Sequence, residues 1–333
     1  LSVLLAVSIV AAVCMGAYRV TPMQMLLSLT AEPALGQDET LRQIRSVVLD
    51  IRLPRVVLAV LVGVGFGAAG SALQALFRNP LADPGLIGVS SGAALGASSL
   101  IVLGPFVFGP AVALGWLPLA AFAGALAVAA LVYRLAASRG RLALPLLLLA
   151  GIAINALTGA GIGLLTYLAD DAQLRSLTFW SLGSLGGAQW SVIGAVLPLA
   201  VLGATWLASQ RHALNALQMG ETEALHLGVP VHAVKRRVLM AAALCIGALV
   251  SCTGVIGFIG LVAPHCVRLV CGPDQRIVMP GAMLLGATLT VLADLIARTL
   301  AAPAEVPLGI LTALLGAPFF LALLSRSRSR LGL

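Results

Sequence analysis

Long apolar runs alternate with short polar hinges along almost the whole chain. The stretch from Arg52 to Ala97 shows the pattern most plainly: an arginine anchor, an apolar run, the polar elbow RNPLADPG, then a second apolar run. A helix needs ~20 apolar residues to cross the hydrocarbon core of a bilayer. By that measure ten segments predict spanning helices: 1–18, 55–77, 86–104, 115–137, 142–167, 191–208, 236–252, 254–270, 277–299 and 306–325. Three of them, 191–208, 236–252 and 254–270, are short. Gly254, Gly257 and Gly260 interrupt the run, so the last two also read as one broken hairpin. The predicted fold class is an all-α polytopic membrane protein. Glycines four apart, at 63/67, 92/96 and 159/163, predict close helix packing, because small residues let backbones approach where no hydrophobic effect drives helices together. Some of these glycines also suit a wide pathway, where missing side chains leave room.

Composition agrees with the pattern. Hydrophobic residues make up 60% of the 333 and charged ones 10%, against roughly a quarter charged in soluble domains. The net charge is +8, and Lys235 is the only lysine. With both termini in the cytoplasm, thirteen basic and four acidic residues fall inside, seven of each fall outside, and Asp294 lies within a span. That asymmetry follows the positive-inside rule, and the inverted topology violates it. Basic residues at span ends point to membrane orientation and away from nucleic acid. The chain starts at Leu1 inside an apolar run, read as a membrane helix behind a trimmed terminus; a cleaved signal peptide is the alternative.

Two polar segments interrupt the apolar pattern. The outer one, 19–54, carries Arg42, Arg45 and Arg52, with Arg55 just beyond it, against Glu32, Asp38, Glu39 and Asp50. Arginine on the outer face runs against the orientation rule. It calls either for an acidic docking partner, since guanidinium forks pair carboxylates, or for local pairing with these four acids. The inner segment, 210–237, is too polar to span. Its pattern predicts two short helices, Ala213–Gln218 and Glu221–Leu227, hinged at Gly220, with acids in the first turn of the second where the helix dipole favours them. Such a pair suits a mechanical contact with a cytoplasmic partner.

Several chemistries find no support. Lys235 is flanked by Val234 and Arg236, so there is no phosphate-cradling GK[ST] loop. GVSSG at 88–92 matches a nucleophile elbow, but that motif needs a preceding strand and a nearby histidine base; an intramembrane serine protease is the residual reading. The five cysteines form no CxxC pair, so neither a disulfide framework nor a metal site is indicated. An ion-coupled carrier normally buries several acids at mid-membrane, whereas Asp294 stands alone, with Arg298 one helical turn away as a structural partner.

The Arg52–Ala97 segment resembles the permease subunits of type II ABC importers for ferric siderophores, haem and cobalamin. GETEALHLGV at 220–229 is similar to the family's coupling helices. GVIGFIGLVAPHCVRLV at 254–270, LADLIAR at 292–298 and EVPLGILTALLGAPFFLALL at 305–324 resemble its last three helices. The resemblance implies one transmembrane permease domain over residues 1–333 with ten helices per chain, working as a homodimer around a pathway on the two-fold axis. It implies two separate ATPase subunits carrying ATP and magnesium, a periplasmic binding protein, and an inner-membrane location. Residue by residue, it implies ATPase coupling at Gly220, Glu221, Glu223, Leu227 and Gly228. Binding-protein docking falls at Arg52, Arg55 and Arg298. Asn79 and Leu81 belong to a cytoplasmic gate, joined more loosely by the turn Ser138–Arg141. LRSLTFWSLGSLGG at 174–187 and the RLPR and elbow motifs look most like the haem branch, with haem as transported substrate rather than resident cofactor. Arg175 is then a candidate pathway residue for a propionate; its alternative is pairing with Asp170 or Asp171.

Overall fold

The computed structural model describes residues 1–16, 20–30, 39–109, 115–138, 141–302 and 304–330. Glu32 and Asp38, expected to flank the outer arginines, lie outside the described residues, as do residues 139–140 of the Ser138–Arg141 turn. Among the described residues the regular structure is helical apart from one two-residue antiparallel pair, Ala137–Ser138 with Arg141–Leu142.

A helix lies over each predicted segment. We number them α1 (Ser2–Cys14), α2 (Pro22–Thr30), α3 (Glu39–Ser46), α4 (Leu53–Phe77), α5 (Val89–Phe108), α6 (Leu117–Ala136), α7 (Leu144–Leu168), α8 (Asp171–Leu182), α9 (Trp190–Ser209), α10 (Arg211–Met219), α11 (Glu221–His226), α12 (Val231–Thr253), α13 (Ile259–Cys271), α14 (Gln275–Leu300) and α15 (Leu308–Arg330). Six are long and apolar enough to cross a membrane: α4, within a continuous helix from Arg42 to Phe77, then α5, α6, α7, α9 and α14. Shorter apolar helices add Ser2–Cys14, Ile259–Cys271 and Leu308–Phe319.

The structure shortens two predicted spans. At 1.5 Å per residue, α1 and α13 rise ~20 Å, less than the ~30 Å hydrocarbon thickness. For α13 the cause is local. Gly254 (φ 70°) and Phe258 (φ 66°) adopt left-handed backbone, so 254–258 leaves the helix and the run from 254 to 270 turns helical only at Ile259.

Packing divides the bundle. In its most apolar window α4 is 78% buried and α14 61%, while α6 and α7 reach only 28%. The α4–α14 contact depends on glycine: a Cβ at Gly63 or Gly67 would collide with the backbone of Gly286 or Ala282. Gly92 and Gly96 bring α5 equally close to the Gly124 and Ala120 carbonyls of α6. The third pair behaves differently. Among the described residues nothing lies within 4 Å of a Cβ built on Gly159 or Gly163, and α7 leaves Leu149, Ile152, Leu157 and Leu164 largely exposed.

Candidate coupling site and outer ionic cluster

The inner polar segment folds as the helix pair α10–α11, hinged at Gly220. Its φ of 144° is open to glycine and strained for any other residue. Leu214 and Leu217 bury one face of α10. The other side of the pair presents Met219, Leu225 and Leu227, each more than half exposed, beside exposed Glu223 and Gly228. Glu221 turns inward. Its Oε2 lies 2.6 Å from Lys235 Nζ, and the same ammonium donates to the Leu142 carbonyl at 3.2 Å. Lys235 is 2% exposed. One buried cation therefore ties α11, the first turns of α12 and the turn between α6 and α7.

A second tie starts from α10. Asn215 donates to Asp274 Oδ1 at 2.6 Å and accepts the Gln275 backbone N–H at 2.8 Å. Asp274 also caps α14 by accepting the Arg276 N–H. That backbone N–H first, and the Asn215 amide second, hold the Asp274 carboxyl below the usual carboxylate range. From Gln275 the contacts continue into the bundle: Ser71 of α4 donates to Gln275 Oε1 at 2.6 Å. One turn further along α4, Gln74 donates to the Leu261 carbonyl and accepts from Arg268, both on α13.

The elbow between α4 and α5 is a stitched turn. Arg78 closes α4 in left-handed conformation, and Asn79 Oδ1 accepts the Leu81 N–H at 3.0 Å, an Asx turn. Asp83 caps the short helix Pro84–Ile87. Asn155 of α7 fastens the elbow from the side, donating to the Gly85 carbonyl and accepting from Ser91 at 2.6 Å. The gate candidates Asn79 and Leu81 thus sit at the tip of a turn anchored to α7. Ser90, the central serine of GVSSG, lies in the first turn of α5, and both ring nitrogens of His265 are buried without a hydrogen-bond partner. The two form no hydrogen bond, so no serine–histidine pair exists here.

At the other end, the three arginines expected on a docking surface are buried: Arg52, Arg55 and Arg298 are 4%, 8% and 9% exposed. Arg55 Nε lies 2.9 Å from Asp294 Oδ1, and its Nη1 lies 2.7 Å from Glu305. Arg298 stands 3.8 Å from Asp294 and also donates to the Ala12 carbonyl. Arg52 donates to the Val13 and Cys14 carbonyls. Two guanidinium groups therefore satisfy the orphan carbonyls that end α1. Glu305, with its side chain 46% exposed, is the outward-facing member of the cluster. Asp50, a candidate local partner for these arginines, accepts from Ser46.

Arg175 lies exposed on α8. Asp170 caps that helix through the Gln173 N–H, and Arg175 forms no ion pair with Asp170 or Asp171. Among the described residues, no group of three His, Cys, Asp or Glu side chains is placed to hold a metal. Lys235, Glu305 and Asn155 escaped the sequence reading as site residues. The lone lysine among so many arginines was the one available signal.

The fold and site define the class: a multi-helix membrane protein with a helix pair exposed at one end of the bundle. The chain belongs to the FecCD transport family, whose profile matches residues 4–326, and it is a permease of a type II ABC importer. It is 52% identical over 287 residues to the hemin transport system permease protein HmuU of Yersinia pestis, covering 85% of this chain and 84% of that one. It is 44% identical to the cobalamin import system permease protein BtuC of Halobacterium salinarum, over 82% of this chain and 72% of that one. A solved metal-chelate type ABC transporter in an inward-facing conformation superimposes with a TM-score of 0.83 at 31% identity, over 98% of this chain and 97% of the other.

Proposed function

We propose that this permease passes haem inward from a binding protein, as a homodimer of ten-span chains with both termini cytoplasmic and two ATPase subunits beneath. The 52% identity to a hemin permease carries the substrate assignment, since the cobalamin relatives stand further off. The uncovered face of α7, with Gly159 and Gly163 open, supports a second copy and a pathway along that helix. The α10–α11 pair is the ATPase contact: Met219, Leu225 and Leu227 form an apolar knob, with Glu223 beside it, for a cleft on the motor subunit. A push on that knob travels by two routes. Glu221 and Lys235 carry it to the α6–α7 turn, and Asn215 carries it to α14 and α4. Reconstituted with its ATPase and binding protein, the complex should move haem into liposomes only with ATP. Uptake of cobalamin or a ferric siderophore alone would displace the substrate assignment and keep the family. Uptake driven by an ion gradient without an ATPase would make it a secondary carrier.

Docking of the binding protein at Arg52, Arg55 and Arg298 requires exchange, because carboxylates and carbonyls of the same chain already hold these groups. Glu305 occupies the place a partner carboxylate would take on Arg55. Glu305→Gln should therefore tighten binding-protein affinity several-fold and make it more salt-sensitive. Unchanged affinity removes Arg55 from the docking surface.

A further inference from the structure

A groove of about 460 Å³ is lined by residues of α6, α9 and α12 and by none from the α10–α11 pair or the Arg55–Asp294 cluster. Its walls are Leu126, Ala129, Ala130 and Tyr133 of α6, Leu239, Met240, Ala243 and Leu244 of α12, and Trp206 of α9. The two long walls run antiparallel, since Gly247 of α12 packs against Ala125 of α6 while Lys235, near the start of α12, bonds Leu142 just beyond the end of α6. From Leu126 to Arg134, and from Leu244 back to Arg236, each wall is ~12 Å long at 1.5 Å per residue. Half of a ~30 Å hydrocarbon core is ~15 Å, so the groove covers most of one leaflet.

Its chemistry is graded along that length. The deep part is apolar. The end nearest the α6–α7 turn carries two exposed arginines, Arg134 from α6 and Arg236 from α12, and neither forms an ion pair with a described carboxylate. Tyr133 and Trp206 line the same groove, rings of the kind that settle at the headgroup level.

We propose that this groove binds one anionic phospholipid of the membrane, with an acyl chain along α6 and α12 and the phosphate between Arg134 and Arg236. Basic pockets between spanning helices take anionic headgroups because a guanidinium fork pairs phosphate oxygens where water is scarce. A cytoplasmic anion has no use for the apolar length. A second copy of this chain meeting the groove about a two-fold axis would bring the arginine rims together with no acid between them. The headgroup position lies beside Lys235 and the turn that Leu142 closes. An occupied groove therefore braces the α6–α7 turn against α12.

The test is native mass spectrometry of the permease–ATPase complex purified from membranes containing phosphatidylglycerol, cardiolipin and phosphatidylethanolamine. The wild-type complex should retain phosphatidylglycerol or cardiolipin in preference to phosphatidylethanolamine. Arg134→Gln with Arg236→Gln should cut that retention about tenfold, while Arg237→Gln, one residue away but outside the groove, should leave it intact. Met240→Trp, which fills the groove and keeps both arginines, should also reduce it, so the proposal survives a double variant that fails to fold. Equal retention in all four proteins means annular lipid only and overturns the site. Equal retention of phosphatidylethanolamine and the anionic lipids overturns it as well.

Discussion

The two ends of this permease use charge in opposite ways. At the end expected to face outward Arg52, Arg55, Asp294 and Arg298 are each less than a tenth exposed and hold α1, α4 and α14 to one another. At the end expected to face the cytoplasm Lys235 is just as buried, but its partner Glu221 has a side chain 40% exposed, Glu223 is exposed and Asp274 is half-exposed. The outer charges are internal fasteners whose partners are fixed by the bundle. The inner charges belong to a small helix pair that also packs on the bundle through Leu214, Leu217 and Ala224, while its other face stays exposed.

The contrast is broken most severely at Asp294. Asp294→Asn leaves Arg55 and Arg298 buried with only Glu305 to balance them, and removing one partner of a buried ion pair costs about 3–5 kcal/mol. Thermal unfolding in detergent should show a large drop and a poor folded yield. A variant as stable as the parent would mean that the cluster fastens nothing.

Lys235→Met comes next. It strands the Leu142 carbonyl and frees Glu221, a loss of about 1–3 kcal/mol for the unsatisfied groups. The chain should still fold. The expected signature is uncoupling: ATP hydrolysis persists while transport per ATP falls. Proportional loss of both would place Lys235 in general stability instead.

Glu223→Ala tests the exposed side of the same helix. Surface substitutions of this kind stay within about 0.5 kcal/mol in stability, so the unfolding temperature should hold while association with the ATPase weakens. Unaltered association would clear Glu223 of that contact.

The smallest effect belongs to Asp274. Its carboxyl is held below the ordinary value in the folded protein, so its contribution is complete at neutral pH and fades as pH falls through the folded value. Asp274→Asn should therefore lower stability slightly at neutral pH, leave it nearly unchanged at low pH, and so flatten the acid limb of the profile. A steeper acid limb in the variant would reverse the sign.

Helix positions were legible in the sequence because run length and solvent are coupled: each apolar stretch had to become a helix to satisfy its own backbone. The ends were less legible. The run through 254–258 is as apolar as its neighbours, and only the left-handed backbone at Gly254 and Phe258 removes it from the helix. The outer arginines were visible as an anomaly, but their partners were not. Asp294 lies 239 residues from Arg55 and Glu305 lies 250, distances over which local pattern carries no information. Likewise the three glycine pairs look identical in sequence, yet two pack against other helices and the pair on α7 meets nothing among the described residues.

Because the chain has a single lysine, and that lysine is enclosed by Glu221 and Leu142, the molecule contains its own reporter. Amine-reactive dyes should pass over Lys235 while the link is closed. Modification of Lys235 itself, located by peptide mapping and appearing only during turnover, would time the moment at which its bond to Glu221 opens, with no engineered probe in the protein.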